Sequence, residues 1–279
     1  MFSACQFTHN IPQIVSISLP AENILLSNMS MIYSLRQVVS SYVGPLVRLR
    51  RSTDNALSDF FGDSVTGRLD INSVNSWLGA ATGFVTTWYN QMGGINASNL
   101  TATEQPTIQR TGIIGLVFDG TKKLTVPMSI TQATNNGVDG SMLMILSCNN
   151  NGCNSFGAMT SGGRWSSHIN WTDGACYFDT GVCCQTPRAF TNPNPSVVSQ
   201  YSFIRTQTFQ ESRKRGISQV SGAVTGGATA SPAFGIGYAD GTAGNNHNGN
   251  MSEIIFCNTG FTGSTLTALE QDQILYWGV

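Results

Sequence analysis

The sequence predicts an all-β protein, a two-sheet jelly-roll sandwich with a few short peripheral helices. The strongest indication is the run of β-branched and aromatic residues at 84–89, which glycines bound on both sides as they would a central strand. Its neighbouring rings, Trp88 and Tyr89, are expected on opposite faces, because side chains alternate along a strand. A strand that is bulky on both faces needs cover on both, which favours two sheets packed together.

Composition agrees with many short strands joined by polar turns. Only 10% of the 279 residues are charged, and 30 are glycine. We expect one large domain, with residues 1–28 as an N-terminal arm or edge strand and residues 29–279 as the jelly roll. The net charge of -1 gives no field to attract nucleic acid. Without a secretory signal or a membrane-length apolar run, we expect synthesis in a cytoplasm without export, and no membrane insertion.

The first elements follow from periodicity. Residues 15–19 alternate apolar and polar and predict a strand within the arm. Residues 30–42 place apolar side chains at helical spacing before Gly44 and Pro45, and predict an amphipathic helix. Residues 46–51 alternate again and predict a strand that carries Arg48 and Arg50 on one face. That face is either solvated or part of a charge network with Asp54.

The remaining elements follow from turn and capping residues. Asp70 is expected to cap a short helix that ends at Gly79. Residues 113–118 and 124–126 flank a turn at 119–122 and predict a hairpin. After Gly263, a capping box formed by Thr267 and Glu270 predicts a terminal helix. The other predicted strands are 141–148, buried on both sides, then 155–159, 165–170, 175–178, 197–206, 216–220, 234–238 and 250–257.

Seven cysteines give an odd count. They form no CxxC pair, and no histidine stands at zinc-ligand spacing, so no metal site is expected. The adjacent Cys183 and Cys184 are either a strained vicinal disulfide or two reduced thiols. The reduced form is favoured for a protein that folds in a cytosol.

Several segments carry a resemblance to a known family. Residues 32–36, 47–55, 84–91 and 116–120 resemble the concanavalin A-like catalytic domain of fungal alpha-L-arabinofuranosidase B. Residues 164–166, 171–174, 177–181 and 251–256 are similar to the laminin-G-like version of that sandwich, which recurs in virion and tail proteins. The resemblance implies a concanavalin A-like jelly roll over about residues 30–279.

Glycoside hydrolysis requires two carboxyl groups, one on each side of the scissile bond. The resemblance implies a glutamate nucleophile and an aspartate acid. None of the five glutamates lies at the nucleophile's position, which falls near Gly181. Asp240 could match the acid, and Asp179 could supply the second carboxylate or merely cap a turn. Catalytic residues are therefore not expected in the leading hypothesis, and Asp179 and Asp240 form the alternative.

Aromatic and polar residues in the later strands are candidates for carbohydrate contact, although aromatic rings more often fill a sandwich core. The candidates are Trp165, Trp171, Asp173, Tyr177, Tyr238, Asp240 and His247. The loop at 240–250 offers oxygens that could hold calcium or sugar hydroxyls, but it lacks the ligand spacing of a calcium loop. No cofactor is expected.

A charge-poor sandwich made without export fits a protein that leaves the cell inside a particle. The leading hypothesis is a virion structural protein: a minor capsid, capsid-decorating, or tail or fibre component. Its partners would be other virion proteins, further copies of itself and a host glycan. The alternative is a glycoside hydrolase of the arabinofuranosidase type.

Overall fold

The computed structural model describes residues 27–160, 163–181, 186–225, 233–239 and 246–279. The strand predicted at 15–19, and nearly all of the predicted arm, lie outside these residues. The strands are β1 (Met29–Ser34), β2 (Val47–Arg51), β3 (Leu57–Phe60), β4 (Gly83–Trp88), β5 (Ala97–Ser98), β6 (Thr107–Gln109), β7 (Gly115–Asp119), β8 (Leu124–Ser129), β9 (Gly140–Leu146), β10 (Asn154–Thr160), β11 (Gly163–His168), β12 (Ala175–Gly181), β13 (Ala189–Thr191), β14 (Ser199–Arg205), β15 (Phe209–Lys214), β16 (Ile217–Ala223), β17 (Ala233–Ile236) and β18 (Asn248–Cys257). The helices are α1 (Ile71–Leu78), α2 (Ile130–Ala133) and α3 (Gly263–Trp277), with a 3-10 turn at Ala102–Glu104.

The strand pairings define two antiparallel sheets. Sheet A runs β7 and β1 side by side along one edge of β18, then β9, β14, β15 and β16. Sheet B runs β3, β2, β4, β5, β8, β17, β10, β11, β12 and β13. Strand β6 pairs with β7 and, through Thr107 and Phe84, with β4, so it joins the sheets at one edge.

Aromatic side chains from both sheets meet between the layers. Phe178 of sheet B lies 5.0 Å from Phe203 of sheet A, centroid to centroid. Phe156 of sheet B lies 5.7 Å from Phe256 of sheet A. Apolar burial of this kind stabilises the fold by roughly 25 cal/mol per Å² removed from water. The predicted all-β, two-layer architecture with short helices is confirmed.

The central strand and the first helix form as the sequence predicts. Trp88 on β4 is fully buried and packs 6.0 Å from the ring of Tyr33. Tyr89, the next residue, is half-buried and donates a hydrogen bond of 2.7 Å to Asp59. Asp70 caps α1 by accepting from the backbone amides of residues 72 and 73. The ring of Trp88 is therefore fully covered, and the ring of Tyr89, just after β4, is covered in part.

The predicted helix at 30–42 is wrong, because residues 29–34 form β1. Ile32 and Tyr33 are both completely buried, although neighbours on a strand face opposite ways. Tyr33 enters the core between the sheets, whereas Ile32 packs with Leu143 and Ile255 outside sheet A. A strand buried on both faces loses its alternation, and its apolar residues then fall by chance at helical spacing.

The predicted hairpin at 113–126 is also wrong. Strand β7 pairs with β6 and β18, and β8 pairs with β5 and β17. The turn between them, where Gly120 has a φ of 87° and Asp119 accepts from the amide of Thr121, therefore carries the chain from one sheet to the other. Correct turn chemistry fixes the turn but not the partner of each strand.

The terminal helix exists, but it begins at Gly263 rather than at the predicted capping box. Thr267 and Glu270 lie inside α3, and Glu270 instead receives hydrogen bonds from Arg213 of β15 at 2.8 and 3.1 Å. Gln273 contacts Gln200 of β14 at 3.3 Å. The helix therefore lies along the outer face of sheet A.

A buried ionic cluster fixes that helix to the sandwich. Glu253 of β18 is completely buried, and its carboxylate accepts from Arg36 at 2.7 and 3.1 Å and from Ser34 at 2.8 Å. Gln273 and Trp277 of α3 donate to it at 2.9 and 3.1 Å. Burial raises the pKa of Glu253, but the charge of Arg36 and these hydrogen bonds outweigh burial and hold that pKa below its usual value.

Arg48 and Arg50 on β2 were expected either to be solvated or to form a charge network with Asp54, and the structure gives them other partners. Arg48 pairs with Asp59 at 2.7 Å, and Arg50 donates to Gln105 at 2.8 Å. Asp54 pairs with Arg51, at 2.7 Å. The partner of Asp54 is therefore neither of the two arginines that were expected.

A disulfide joins Cys148, just after β9, to Cys153, just before β10. The odd cysteine count gave no indication of this pair. Cys176 and Cys257 are free and buried, and burial raises the pKa of both thiols. The predicted state of Cys183 and Cys184 lies outside the described residues.

Replacing Glu253 by Ala should lower the free energy of unfolding by about 3–5 kcal/mol, because it leaves the Arg36 guanidinium buried without its main partner. Urea denaturation measures the change. Asp54→Ala is the control, since it removes an exposed ion pair whose contribution is below about 1 kcal/mol. A Glu253→Ala loss as small as that of the control would contradict the importance of the cluster.

Candidate functional site

The two outer faces of the sandwich differ in accessibility. Helix α3 covers sheet A, whereas sheet B carries no helix of comparable length across its outer face in the parts of the chain that the structure describes. No helix in those parts is long and apolar enough to cross a membrane. In the described chain, the outer face of sheet B is therefore the one that no long helix covers.

Strand alternation decides which residues of β10, β11 and β12 face outward. Phe178 and Trp165 point inward, and their rings lie 5.8 Å apart. The residues that alternate with Trp165 along β11 and with Phe178 along β12 therefore point outward. Cross-strand register arranges these outward positions in two rows: Asn154, His168 and Tyr177 form the first, and Gly157, Ser166 and Asp179 form the second.

We call this group the outer-face site. Its floor consists of the buried side chains Asn154, Ser166, His168 and Asp179, and its rim of the half-buried side chains Trp171, Tyr177 and Arg188.

Two members of the floor have unsatisfied polar atoms. The amide nitrogen and oxygen of Asn154 (1% exposed) and the hydroxyl of Ser166 (0% exposed) have no hydrogen-bond partner among the described residues. A buried donor or acceptor without a partner costs about 1–3 kcal/mol. Native structures contain few such groups, and those that exist need an explanation. A ligand that hydrogen-bonds to this floor would supply one.

The acidic member of the floor is ion-paired. Arg188 donates to Asp179 at 2.6 Å, and the Asp179 side chain is only 1% exposed. The guanidinium of Arg188 also stacks on Tyr177, 4.7 Å from the ring centroid. One arginine thus connects the buried carboxylate to the rim.

The rim is built around two aromatic rings. Trp171 contacts the ring of His168 at 4.5 Å between centroids. The Tyr177 hydroxyl donates to the exposed Asp173 at 2.5 Å, and Asp173 also accepts from the amide of Ala175. The hydrogen bond from Tyr177 and that backbone bond lower the pKa of Asp173, and the same contact with Asp173 raises the pKa of Tyr177.

Tyr238 bounds the site on the other side. Its ring lies over Gly235, where a Cβ would come within 2.2 Å of the ring. The Tyr238 hydroxyl is 3.1 Å from the Thr125 hydroxyl. The next residue, Ala239, covers Gly157, since a Cβ placed on Gly157 would lie 3.0 Å from that of Ala239. The chain therefore folds back over β17 and β10 beside the floor.

The structure brings together some of the predicted site residues and separates others. Trp171, Asp173, Tyr177 and Asp179 converge, and Tyr238 lies at their border. Trp165 is instead a core residue, fully buried, and donates to the carbonyl of Gly137 at 2.8 Å. Asp240 lies outside the described residues.

His247 is a core residue as well. It is completely buried, its ring packs 5.6 Å from that of Phe118, and its Nδ1 lies 3.3 Å from the Ser155 hydroxyl. Burial lowers the pKa of His247 to about 4, so the ring is neutral near pH 7. A neutral, enclosed imidazole does not contact a glycan from this position.

Four residues of the site were not predicted from the sequence: Asn154, Ser166, His168 and Arg188. Outward parity on β11 could have indicated Ser166 and His168, since they alternate with Trp165. Asn154 precedes a register shift on β10, which hides its orientation. Within the described residues, no three His, Cys, Asp or Glu side chains come together as metal ligands.

Comparison with known proteins establishes the fold. No family model and no curated protein matches the chain. An alpha-L-arabinofuranosidase of glycoside hydrolase family 54, soaked with a cyclic sulfate inhibitor, matches with a TM-score of 0.70 at 14% identity, over 91% of this chain and 64% of its own. An arabinofuranosidase complexed with arabinofuranosyl-alpha-1,2-xylobiose matches with a TM-score of 0.70 at 14% identity, over 89% and 62%.

A Trypanosoma rangeli sialidase in complex with 2,3-difluorosialic acid matches with a TM-score of 0.50 at 11% identity, over 68% of this chain and 31% of its own. The chain thus spans less than two thirds of the arabinofuranosidases it matches. It has the β-sandwich fold of these glycoside hydrolases, and at such identities the likeness concerns the fold alone. The predicted resemblance to arabinofuranosidases is confirmed at the level of fold; its virion version stays a prediction.

The buried His247 should make stability fall with acid. In the unfolded chain the histidine has a pKa near 6.5, whereas in the folded protein its pKa is about 4, so only the unfolded form binds a proton between these values. Stability from the neutral ring is present above pH 6.5 and is lost as the pH falls towards 4. Between pH 7 and pH 5, wild type should lose about 2 kcal/mol more than His247→Gln, measured by urea denaturation. Parallel pH profiles would contradict this.

Proposed function

We propose that the protein binds a glycan at the outer-face site. The observation that carries the proposal is the combination of unpartnered polar atoms on the floor with half-buried aromatic rings on the rim. Sugars present hydroxyl groups that need hydrogen-bond partners and apolar C–H faces that pack on aromatic rings. Asn154 and Ser166 offer the first kind of contact, and Trp171 and Tyr177 the second.

The fold supports this proposal without deciding it. Sandwiches of the arabinofuranosidase and sialidase type include proteins seen with sugar ligands. Function belongs to the site rather than to the fold, however, so the proposal depends on the outward residues of β10 to β12. The expected virion location, partner proteins and lack of a cofactor stay predictions. The disulfide fits an oxidising location, which a particle outside the cell provides.

Trp171→Ala and Tyr177→Ala should each weaken glycan binding about tenfold or more, because each removes a stacking surface worth about 1.4 kcal/mol. A glycan array identifies the ligand, and titration calorimetry with the bound glycan measures the affinity. Phe84→Ala is the matched control: Phe84 is also half-buried on sheet B, but it lies under Arg50 and far from the site. Absence of any glycan binding by the wild type, or equal losses in all three variants, would overturn the proposal.

A second candidate function, glycoside hydrolysis, rests on the placement of Asp179. Asp179 stands in the same row as Gly157, and Ala239 covers Gly157. Asp240 follows Ala239 directly in sequence. Hydrolysis requires two carboxyl groups, and Asp240 is the sequence-predicted partner of Asp179.

The roles follow from the surroundings of each group. Asp179 is the carboxylate half of an ion pair with Arg188, which suits a nucleophile or base. Asp240 would then donate a proton to the glycosidic oxygen, and water would add to the anomeric carbon. The family pattern has a glutamate nucleophile near Gly181, so this assignment requires a different residue in that role.

Asp179→Asn and Asp240→Asn should each reduce release of 4-nitrophenol from 4-nitrophenyl α-L-arabinofuranoside at least about 100-fold. Asp59→Asn is the matched control. Like Asp179, Asp59 lies on sheet B paired with an arginine, Arg48, at 2.7 Å, and near a tyrosine, Tyr89. Glycan binding by a wild type that releases no pentose would reject hydrolysis and leave the binding proposal in place.

A further inference from the structure

We infer that Asn154 determines which sugar the outer-face site accepts, by recognising two adjacent hydroxyl groups of the ligand. This inference rests on the proposed glycan binding and adds a specificity-determining residue to it. Three observations support it: the direction of the Asn154 side chain, the contacts of its amide and the contacts that hold its backbone.

Register places the Asn154 side chain in the site. Asn154 is the cross-strand partner of His168, and directly paired residues on neighbouring strands share a face. His168 points outward, towards Trp171 of the rim, with 4.5 Å between the ring centroids. Asn154 therefore lies beneath the rim, on the side of the floor away from Asp179.

The amide of Asn154 is unused by the fold. It is 1% exposed, and neither its nitrogen nor its oxygen has a partner among the described residues. Asn90, which is 3% exposed, shows the usual arrangement. Its oxygen accepts from the amides of Ile32 and Met92 at 2.9 and 3.1 Å, and its nitrogen donates to Gly93 at 2.8 Å. A buried asparagine without these contacts is not explained by the stability of the sandwich.

The chemistry of a free carboxamide indicates its ligand. It presents one acceptor and one donor group side by side in a plane. Two neighbouring sugar hydroxyls match this pair when one donates to the oxygen and the other accepts from the nitrogen. A phosphate or a carboxylate satisfies only half of it, since these anions accept but do not donate. Among sugars, the ligand that matches the carboxamide is a ring with a free vicinal diol.

The backbone holds this amide in a fixed position before any ligand arrives. Cys153, the preceding residue, is tied to Cys148 by the disulfide. The amide of Cys153 donates to the carbonyl of Asn170 at 3.2 Å, and the Cys153 carbonyl accepts from Ile169 at 3.1 Å. A β-bridge to Asn246 holds the other side. So constrained a backbone limits the positions that the amide can reach, which favours discrimination between ligands.

The test is Asn154→Leu, which keeps the branched shape and the number of non-hydrogen atoms of the side chain and removes its polar atoms. Wild type should bind a methyl glycoside, with methyl α-L-arabinofuranoside and methyl β-D-xylopyranoside as the probes, and bind the 2-deoxy and 3-deoxy analogues at least tenfold more weakly. Asn154→Leu should lose at least tenfold in affinity and no longer distinguish the analogues. Its Tm should stay the same or rise, because an unpartnered buried amide has been removed.

Asn90→Leu is the matched control and should behave in the opposite way. Its Tm should fall, because three backbone groups lose their partners, while its affinity for the glycosides stays that of the wild type. Asn154→Asp, which keeps the shape but replaces the donor with a second acceptor, should also lose discrimination.

Three results would overturn the inference. If Asn154→Leu bound and discriminated like the wild type, the amide would have no part in recognition, although glycan binding would stand. If it lost stability together with affinity, as a structural residue does, the role would be support of the fold. If the wild type bound none of the glycosides by calorimetry and none on the array, both the binding proposal and this inference would fall.

Discussion

The carboxylate of Glu253 is the constraint on which the architecture depends. A charge buried at 0% exposure requires a full set of partners, and here they come from opposite ends of the described chain: Ser34 at the end of β1 and Arg36 just after it, and Gln273 and Trp277 in α3. The first strand and the last helix must therefore be in place together. Because α3 is fixed on sheet A, that outer face is closed, and ligands are left with sheet B.

Local pattern was enough for the elements that are buried on one face or lie in the middle of a sheet. The β-branched run at β4 and the apolar run at β9 formed strands, and Asp70 capped its helix, as expected. Strand β1 could not be recognised, because Ile32 and Tyr33 enter cores on opposite sides of sheet A. One partner of each of β7 and β8, namely β18 and β17, lies more than 100 positions away in the chain, which turn chemistry cannot indicate.

The outer-face site was predictable only in part, for a related reason. Trp171, Tyr177 and Asp179 were found because their residue types suit carbohydrate or acid chemistry. Trp165 has the same residue type as Trp171, yet one strand position decides that it enters the core against Phe178. Only the contacts between neighbouring strands show that Asn154 and Arg188 belong to the site: Asn154 pairs with His168 of β11, and Arg188 contacts Asp179 of β12. Residue type suggests a site, whereas parity and register decide its members.

The two outer faces show how one scaffold can keep its shape while its chemistry changes. On sheet A, polar outward residues such as Gln200 and Arg213 bind α3, so substituting them would loosen the helix. On β10 and β11, the polar side-chain atoms of the outward Asn154 and Ser166 have no hydrogen-bond partner in the described chain, so the sandwich gains no hydrogen bond from them. Such positions can change without loss of the sandwich. A chain only 14% identical to an arabinofuranosidase can therefore share its fold while the residues on that fold differ.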